Sequence, residues 1–235
     1  MRPTLVSCLS PALFFRSMPE FSDLLRPFLS RPLSVAQLNQ AERYLALLLK
    51  WNAKISLTAV RTPEEIVQRH FGESLFAGEQ TGVAGASSLI DMGSGAGFPG
   101  LPIAILAPEV RITLIESQHK KVAFLREVIR ALELRNTNVY AGRAEQAQLW
   151  AEIVTMRAVE KFEAALLAAS TLVQPSGRLA LLIGASQAKT ACQGRPDFAW
   201  RRPISIPESR ERILLIGQRA DVQGDPNLGK AVNSH

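Results

Sequence analysis

The sequence predicts an α/β chain, a mainly parallel sheet covered by helices on both faces, with a smaller group of helices in front of it. Three observations carry that expectation. From residue 88 to residue 183 short apolar runs alternate with longer amphipathic ones, and strands that alternate with helices pair in parallel. The run 88–92 (SLIDM) passes straight into a glycine-rich turn and then into an apolar helical run, the strand–turn–helix unit that builds ligand sites. The next strand, 111–116, ends on a carboxylate, Glu116, at the distance from the glycines where open α/β folds hold a ribose.

Taken in order, residues 19–28 form a short amphipathic segment that Pro32 ends. Ser34 caps a helix running to about Asn52, with Leu38, Ala41, Leu45, Leu48 and Trp51 at helical spacing as a core stripe. Thr62-Pro63-Glu64-Glu65 combines an N-cap, a first-turn proline and a capping-box glutamate, and opens a helix that carries Arg69, His70 and Phe71. A joint rich in Gly, Ala and Ser follows over 78–87. Beyond it the pattern reads strand 88–92, helix 98–106, strand 111–116, helix 120–132, strand 138–140 and a turn at 143–146. Strand 153–156, helix 161–172 and strand 178–183 complete the alternation, and the stretches 199–206 and 212–219 are expected to pair as an antiparallel edge. After Arg219 the chain is polar and rich in Gly, Pro and Asn, the composition of a frayed tail.

Composition narrows the function. Of 235 residues 47% are hydrophobic, enough for a sizeable core in one large domain or a domain with an appendage. A net charge of +6 and a pI near 9.7 favour a polyanionic partner. Cys8 and Cys192 stand far apart and outside any ligand spacing, which argues against a disulfide framework and a zinc site. No apolar run has the length of a membrane span. Residues 5–15 are apolar after Arg2, but Pro11 interrupts them and Arg16 follows without a cleavage site; residues 1–17 are read as a disordered extension, with Met18 opening the folded protein.

The spacing in the glycine turn selects the ligand. A dinucleotide fingerprint needs a small residue at position 98, where Phe98 stands, and a P-loop needs a closing Gly-Lys-Ser/Thr that is absent. The remaining pattern, Asp-x-Gly-x-Gly-x-Gly from Asp91 to Gly97, suits a ligand with an amino-acid end and a nucleoside end. Glu116 is then the ribose ligand, the competing reading being a cap for the helix that follows.

The residues 91–100 (DMGSGAGFPG), with Glu116-Ser117-x-x-Lys120-Lys121-x-x-Phe124-Leu125 and Arg143-Ala144-Glu145, resemble the bacterial 16S ribosomal RNA guanine-N7 methyltransferases, the glucose-inhibited division protein B family. Trp51-Asn52, Leu57-Thr58-Ala59, Arg69-His70-Phe71, Ser74-Leu75 and Arg157-Ala158 extend the likeness over roughly 20–219. The resemblance implies a Rossmann-like class I S-adenosylmethionine-dependent methyltransferase sheet over 86–219, an N-terminal helical cap over 18–85 and a tail over 220–235. It also implies methylation of N7 of one guanine, position 527, of 16S rRNA, with the RNA or the small ribosomal subunit as partner. A cytoplasmic protein without a metal is expected, and a monomer, since nothing in the sequence demands a second copy.

The same resemblance distributes roles. Asp91 would accept hydrogen bonds from the methionine amine of S-adenosylmethionine; Gly93, Ser94, Gly95 and Gly97 would line it, and Phe98 would pack near it. Ala144 and Glu145 would read adenine. Arg157 would stand nearest the chemistry, on guanine O6, a phosphate or the cofactor carboxylate. His70, Lys120 and Lys121 would meet RNA, the alternative for His70 being a packing role, and Arg126, Arg195, Arg201, Arg202, Arg210 and Arg212 are further candidates for phosphate contacts. Guanine N7 carries an exposed lone pair, so no proton must leave before attack, and a site without a general base is consistent with the reaction. Three departures stand out: the Lys-Gly that commonly ends the fifth strand is Ile183-Gly184 here, and the usual Asp-Ser-Leu is Glu73-Ser74-Leu75. The first domain likewise has Ser56-Leu57-Thr58 in place of Asn-Leu-Thr. The competitors are a methyltransferase with another substrate and a non-catalytic RNA-binding or assembly factor that retains the fold.

Overall fold

The computed structural model describes residues 20–157 and 161–220. The expected extension over 1–17, the start at Met18, Ala158 and the tail beyond residue 220 lie outside the described residues. Among the described residues the sheet has eight strands: β1 (Ser88–Met92), β2 (Arg111–Glu116), β3 (Thr137–Ala141), β4 (Ala151–Arg157), β5 (Val173–Gly184), β6 (Phe198–Trp200), β7 (Ile204–Ser205) and β8 (Arg212–Arg219). The order is β3-β2-β1-β4-β5-β8-β6, with β7 also on β8. The first five strands are parallel, and β8 runs antiparallel to β5, so the sheet turns over at one edge as the sequence predicts. The order reverses at β1, between β2 and β4. Open sheets of this kind bind ligands beyond the strand ends at that reversal.

Side chains alternate across a strand. In β1, Leu89 joins the core beneath the helices α2 (Val35–Asn52), α5 (Gly100–Leu106) and α6 (His119–Ala131). Ile90 and Met92 join the core beneath α7 (Phe162–Thr171) and α8 (Gln187–Gly194). Asp91 therefore faces the side of α2 and α5. By the same period Thr155 and Arg157 of β4 share the face of Ile153, which packs into that first core, while Val154 and Met156 pack into the second.

The helices before residue 88 are built onto this face. They are α1 (Phe21–Leu25), α2, and a nearly continuous helix made of α3 (Pro63–Ile66), a π turn (Val67–Gly72) and α4 (Glu73–Thr81). Ser34 caps α2 in a reciprocal box with Gln37, and the Thr62 hydroxyl accepts the Glu65 N–H, as their sequences predict. Phe21, Tyr44, Leu45, Leu48 and Phe71 share one apolar cluster with Leu101, Ile103, Phe124 and Leu125 of the sheet's own helices. Polar groups fix the same contact: Gln37 donates to the carbonyls of Ile105 and Leu106, Gln40 to Leu132 and Arg43 to Ala131. One face of α2 thus supplies the donors that the C-terminal turns of α5 and α6 lack.

Three expectations of secondary structure are corrected. The joint over 78–87 is helical to Thr81, and a short 3₁₀ turn covers Val83–Gly85. Gly78 serves packing rather than flexibility, because a Cβ there would come within 3.1–3.2 Å of Leu106 and Ile103 on α5. The helix α8 was not predicted, and the stretch 199–206 divides into the two short strands β6 and β7.

Candidate active site

The site begins where β1 ends. The chain leaves Met92 through Gly93, Gly95 and Gly97, all at positive φ (70°, 57° and 95°), a region that side chains disfavour. The Ser94 N–H donates to the Ile115 carbonyl at 3.0 Å and its hydroxyl to the Asp91 carbonyl at 2.9 Å, which ties the turn to β2 and to its own strand. At the start of α5 the Gly100 N–H donates to Asp91 Oδ2 at 3.1 Å. A Cβ on Gly100 would sit 2.8 Å from that oxygen, so only glycine lets the helix approach the carboxylate this closely.

Asp91 is fully buried, and its other oxygen accepts the Thr155 hydroxyl at 2.9 Å from directly across the β1–β4 pair. Burial pushes its carboxyl up to about 6, against the nearby polar groups of Thr155, Ser94 and Gly100 and the Arg157 charge, which favour the ionised form. Asp91 is first of all the post that holds strand, turn and helix together. Each of its oxygens has accepted one hydrogen bond and keeps a second lone pair.

Beyond the strand ends lies a cleft of about 230 Å³ lined by Met92, Gly93, Ile115, Glu116, Ser117, Gly142, Arg143, Ala144, Glu145, Lys161, Ala164 and Ala165. Glu116 is 6% exposed; its Oε2 accepts the Gly95 N–H at 2.9 Å and its Oε1 the Gln118 N–H at 2.7 Å. The carboxylate is thus held across the mouth of the glycine turn, with acceptor capacity left on both oxygens. Ala144 and Glu145 reach the cleft from a 3₁₀ turn (Ala144–Gln146) after β3. Gly93, Gly142, Ala144, Ala164 and Ala165 carry at most a methyl group, so a ribose and a flat base can lie against backbone there. That cradle with a fixed carboxylate at its edge fits S-adenosylmethionine.

Six of the residues expected to touch the ligand do not line this cleft: Asp91, Ser94, Gly95, Gly97, Phe98 and Arg157. Phe98 is turned into the helices, stacked between Tyr44 (5.2 Å between centroids) and His70 (4.8 Å) and edge-on to Phe71. The ring is buried among those side chains, where its apolar surface is removed from water. Gly97 abuts Tyr44 and Leu101, and the Ser94 side chain is used within the turn. Asp91 lies beneath the turn. Ser117, Gly142, Lys161, Ala164 and Ala165 line the cleft and were missed, because small residues and a helix-start lysine give no signal of their own in the sequence.

A second group meets on the face toward the helical cap. The π turn sends the Glu73 N–H back to the carbonyls of Gln68 and His70, passing over Arg69. The Arg69 carbonyl accepts Arg157 Nη2 at 2.7 Å instead. Arg157 Nη2 also lies 3.2 Å from Glu73 Oε2, and Arg212 reaches Glu73 Oε1 through Nε (2.7 Å) and Nη2 (2.5 Å). Desolvation is the main influence lowering the Arg157 pKa, countered by Glu73 and reinforced by the repulsion of Arg212 and Arg69. Among the described residues Arg157 Nη1, Glu73 Oε2 and His70 Nδ1 have no hydrogen-bond partner.

His70 Nε2 lies 2.6 Å from the Thr58 hydroxyl, whose oxygen also accepts the Val60 N–H, and Asn52 holds the loop by accepting the N–H groups of Leu57 and Thr58. Burial, with Arg157 and Arg69 adding to it, lowers the His70 pKa to about 3. The imidazole is therefore neutral near pH 7. It stacks on Phe98 and its Nε2 faces the Thr58 hydroxyl, the position of a packing residue.

Lys120 is exposed and Lys121 half-buried at the start of α6, just beyond Glu116. Two other cations proposed for phosphates are already paired, Arg195 with Asp197 and Arg212 with Glu73. Among the described residues no three His, Cys, Asp or Glu side chains gather where they could hold a metal ion, and no helix is long and apolar enough to cross a membrane.

Comparison with known proteins places this geometry. The family model described as GidB, rRNA small subunit methyltransferase G, matches residues 37–210. The ribosomal RNA small subunit methyltransferase G of Roseiflexus sp. (strain RS-1) is 39% identical over 193 residues, 77% of this chain and 82% of that protein. Its counterpart from Myxococcus xanthus (strain DK1622) is 36% identical over 169 residues, 70% of this chain and 77% of the other. Among solved structures, the precorrin-6y C5,15-methyltransferase of Geobacter metallireducens GS-15 superposes with a TM-score of 0.53 at 14% identity, over 70% of this chain and 92% of that one, a likeness of fold alone.

Proposed function

The chain belongs to the rRNA small subunit methyltransferase G family, and on that premise we propose that it transfers a methyl group from S-adenosylmethionine to N7 of a guanine in 16S rRNA. The observation that carries this reading is the cleft in which the glycine turn of β1 and the Glu116 carboxylate at the end of β2 face each other, closed by Gly95 N–H to Glu116 at 2.9 Å.

S-adenosylmethionine supplies an electrophilic methyl group on a sulfonium. The protein's task is placement. Glu116 would accept the ribose hydroxyls, the backbone of Gly93 and Gly95 would border the methionine and ribose, and the turn at Ala144 and Glu145 would meet the edge of adenine. Asp91, fixed by Gly100 and Thr155 beneath the turn, holds in place the glycine loop that would border the amino-acid end. Arg157 stands on the cap side of the same strand ends with Nη2 anchored and Nη1 without a partner among the described residues, which supports a hydrogen bond from Nη1 to guanine O6. Such a bond would orient the ring so that N7 approaches in line, and orientation of this kind is worth several powers of ten in rate. Lys120 and Lys121 meet the RNA backbone beyond the cleft. The protein acts as a monomer in the cytoplasm, on the RNA of the small subunit.

The test is methyl transfer from labelled S-adenosylmethionine to small ribosomal subunits that lack the modification, with mapping of the labelled nucleotide. Label at N7 of one 16S guanine is expected. Label on another atom, or binding of S-adenosylmethionine without transfer to subunits or to their deproteinised RNA, overturns the reading.

A further inference from the structure

Glu73 is 1% exposed, and a carboxylate so deeply buried is retained only when opposite charge meets it. Its two oxygens are used differently. Oε1 receives both Nε and Nη2 of Arg212, at 2.7 and 2.5 Å, a two-donor contact that holds this oxygen in place. Oε2 accepts no hydrogen bond among the described residues and faces Arg157 Nη2 at 3.2 Å. The Arg212 side chain is 29% exposed and that of Arg157 10%, so the anchoring arginine is the outer one and the anchored arginine the inner one.

Arg157 needs such an anchor. Arg69 and Arg212 both repel it, and Glu73 is the foremost counter-charge beside it, ahead of Asp91. Its Nη2 is held from two sides, by the Arg69 carbonyl at 2.7 Å and by Glu73, while Nη1 is left with no partner among the described residues. One arm of the guanidinium is locked to the cap, and the other is buried without a hydrogen-bond partner among the described residues.

We propose that Glu73 is a positioning residue for methyl transfer: fixed by Arg212, it holds Arg157 by one nitrogen so that the other faces the target base. This rests on the reading of Arg157 given above. Glu73 touches neither cofactor nor substrate and acts through Arg157, linking α4, the end of β4 and the start of β8.

Glu73→Gln removes the charge and keeps the shape. The expected result is a turnover at saturating S-adenosylmethionine and saturating subunits at least tenfold lower, with the dissociation constant for S-adenosylmethionine within twofold of the parent. Glu73→Asp keeps the anion but withdraws it by one methylene, and its turnover should fall between the two. In a chain already carrying Arg157→Ala, either change should cost less than twofold more, because the group being positioned is gone. Should Glu73→Gln fail to fold, Glu73→Asp alone carries the comparison. Parental turnover in the folded Glu73 variants, or a loss that adds in full to that of Arg157→Ala, overturns the proposal while leaving Arg157 in its role. Parental turnover in Arg157→Ala by itself overturns the reading beneath it and the proposal with it.

Discussion

Replacing Glu116 with glutamine separates ligand binding from turn structure. The carboxylate accepts Gly95 N–H on one oxygen and Gln118 N–H on the other. The amide keeps one acceptor and turns an NH₂ group toward the second N–H, so one of these bonds is lost. A hydrogen bond to a charged group contributes about 1.5–3 kcal/mol, and the turn should weaken by an amount of this order. The ribose loses as much: two hydroxyls need two acceptors, and only one remains. At 1.4 kcal/mol per tenfold, the dissociation constant for S-adenosylmethionine should rise roughly ten- to hundredfold. Isothermal titration at a temperature where a melting curve shows the variant folded reads the effect directly. A variant that melts earlier yet binds S-adenosylmethionine within twofold of the parent would show that Glu116 is only a clamp on the glycine turn and would refute the assignment.

Arg157→Ala should lower turnover at least tenfold with little change in cofactor affinity; folding should survive because Arg212 still partners Glu73, and a methyl-transfer assay beside a melting curve checks both halves. The Asp91 carboxyl is raised from 3.8 to about 6, so between those values the folded chain holds a proton that the unfolded chain has lost. The contribution of Asp91 to stability is therefore greatest below about pH 4 and falls as pH rises through about 6, by up to about 3 kcal/mol. Urea melts at pH 4 and pH 6.5 should show the parent losing about 2 kcal/mol of that relative to Asp91→Asn, whereas equal changes in the two proteins would contradict the raised value. Replacing Lys121 with alanine should flatten the salt dependence of single-stranded RNA binding by roughly 0.7 log units per log of salt, and an unchanged slope removes Lys121 from the interface.

The sequence revealed those features whose physical cause is local. The bounds of β1 and β2, the caps at Ser34 and Thr62 and the glycine turn each depend on neighbours within a few residues, and the structure places them as predicted. Helix α8 escaped because its inward residues, Ala188, Ala191 and Cys192, are too small to make an apolar stripe. The segment 78–87 looked like a linker because glycine and alanine serve close packing as readily as flexibility, and at Gly78 packing decides. Phe98 was assigned to the ligand because it adjoins the glycines, whereas its rotamer follows the aromatic side chains of Tyr44 and His70, far off in sequence. Glu73 was noted only for its extra methylene. Its tie to Arg212 spans 139 residues, and no periodicity or cap reports a contact of that separation.

The π turn fixes more than one carbonyl. A regular helix advances about 100° per residue, so the extra residue accommodated between Val67 and Gly72 sets the two halves of this helix out of phase by about that angle. His70 and Glu73 would share one side of a regular α-helix. Here the first stacks on Phe98 while the second reaches Arg157 and Arg212. A chain shortened by one residue at this point would gain a more regular hydrogen-bond ladder and lose the geometry: with the capped start at Thr62 held in place, every side chain of α4 would swing by roughly a quarter turn, and the buried carboxylate would leave its arginines. The length of this segment is thus as much a determinant of the site as the identity of any residue within it.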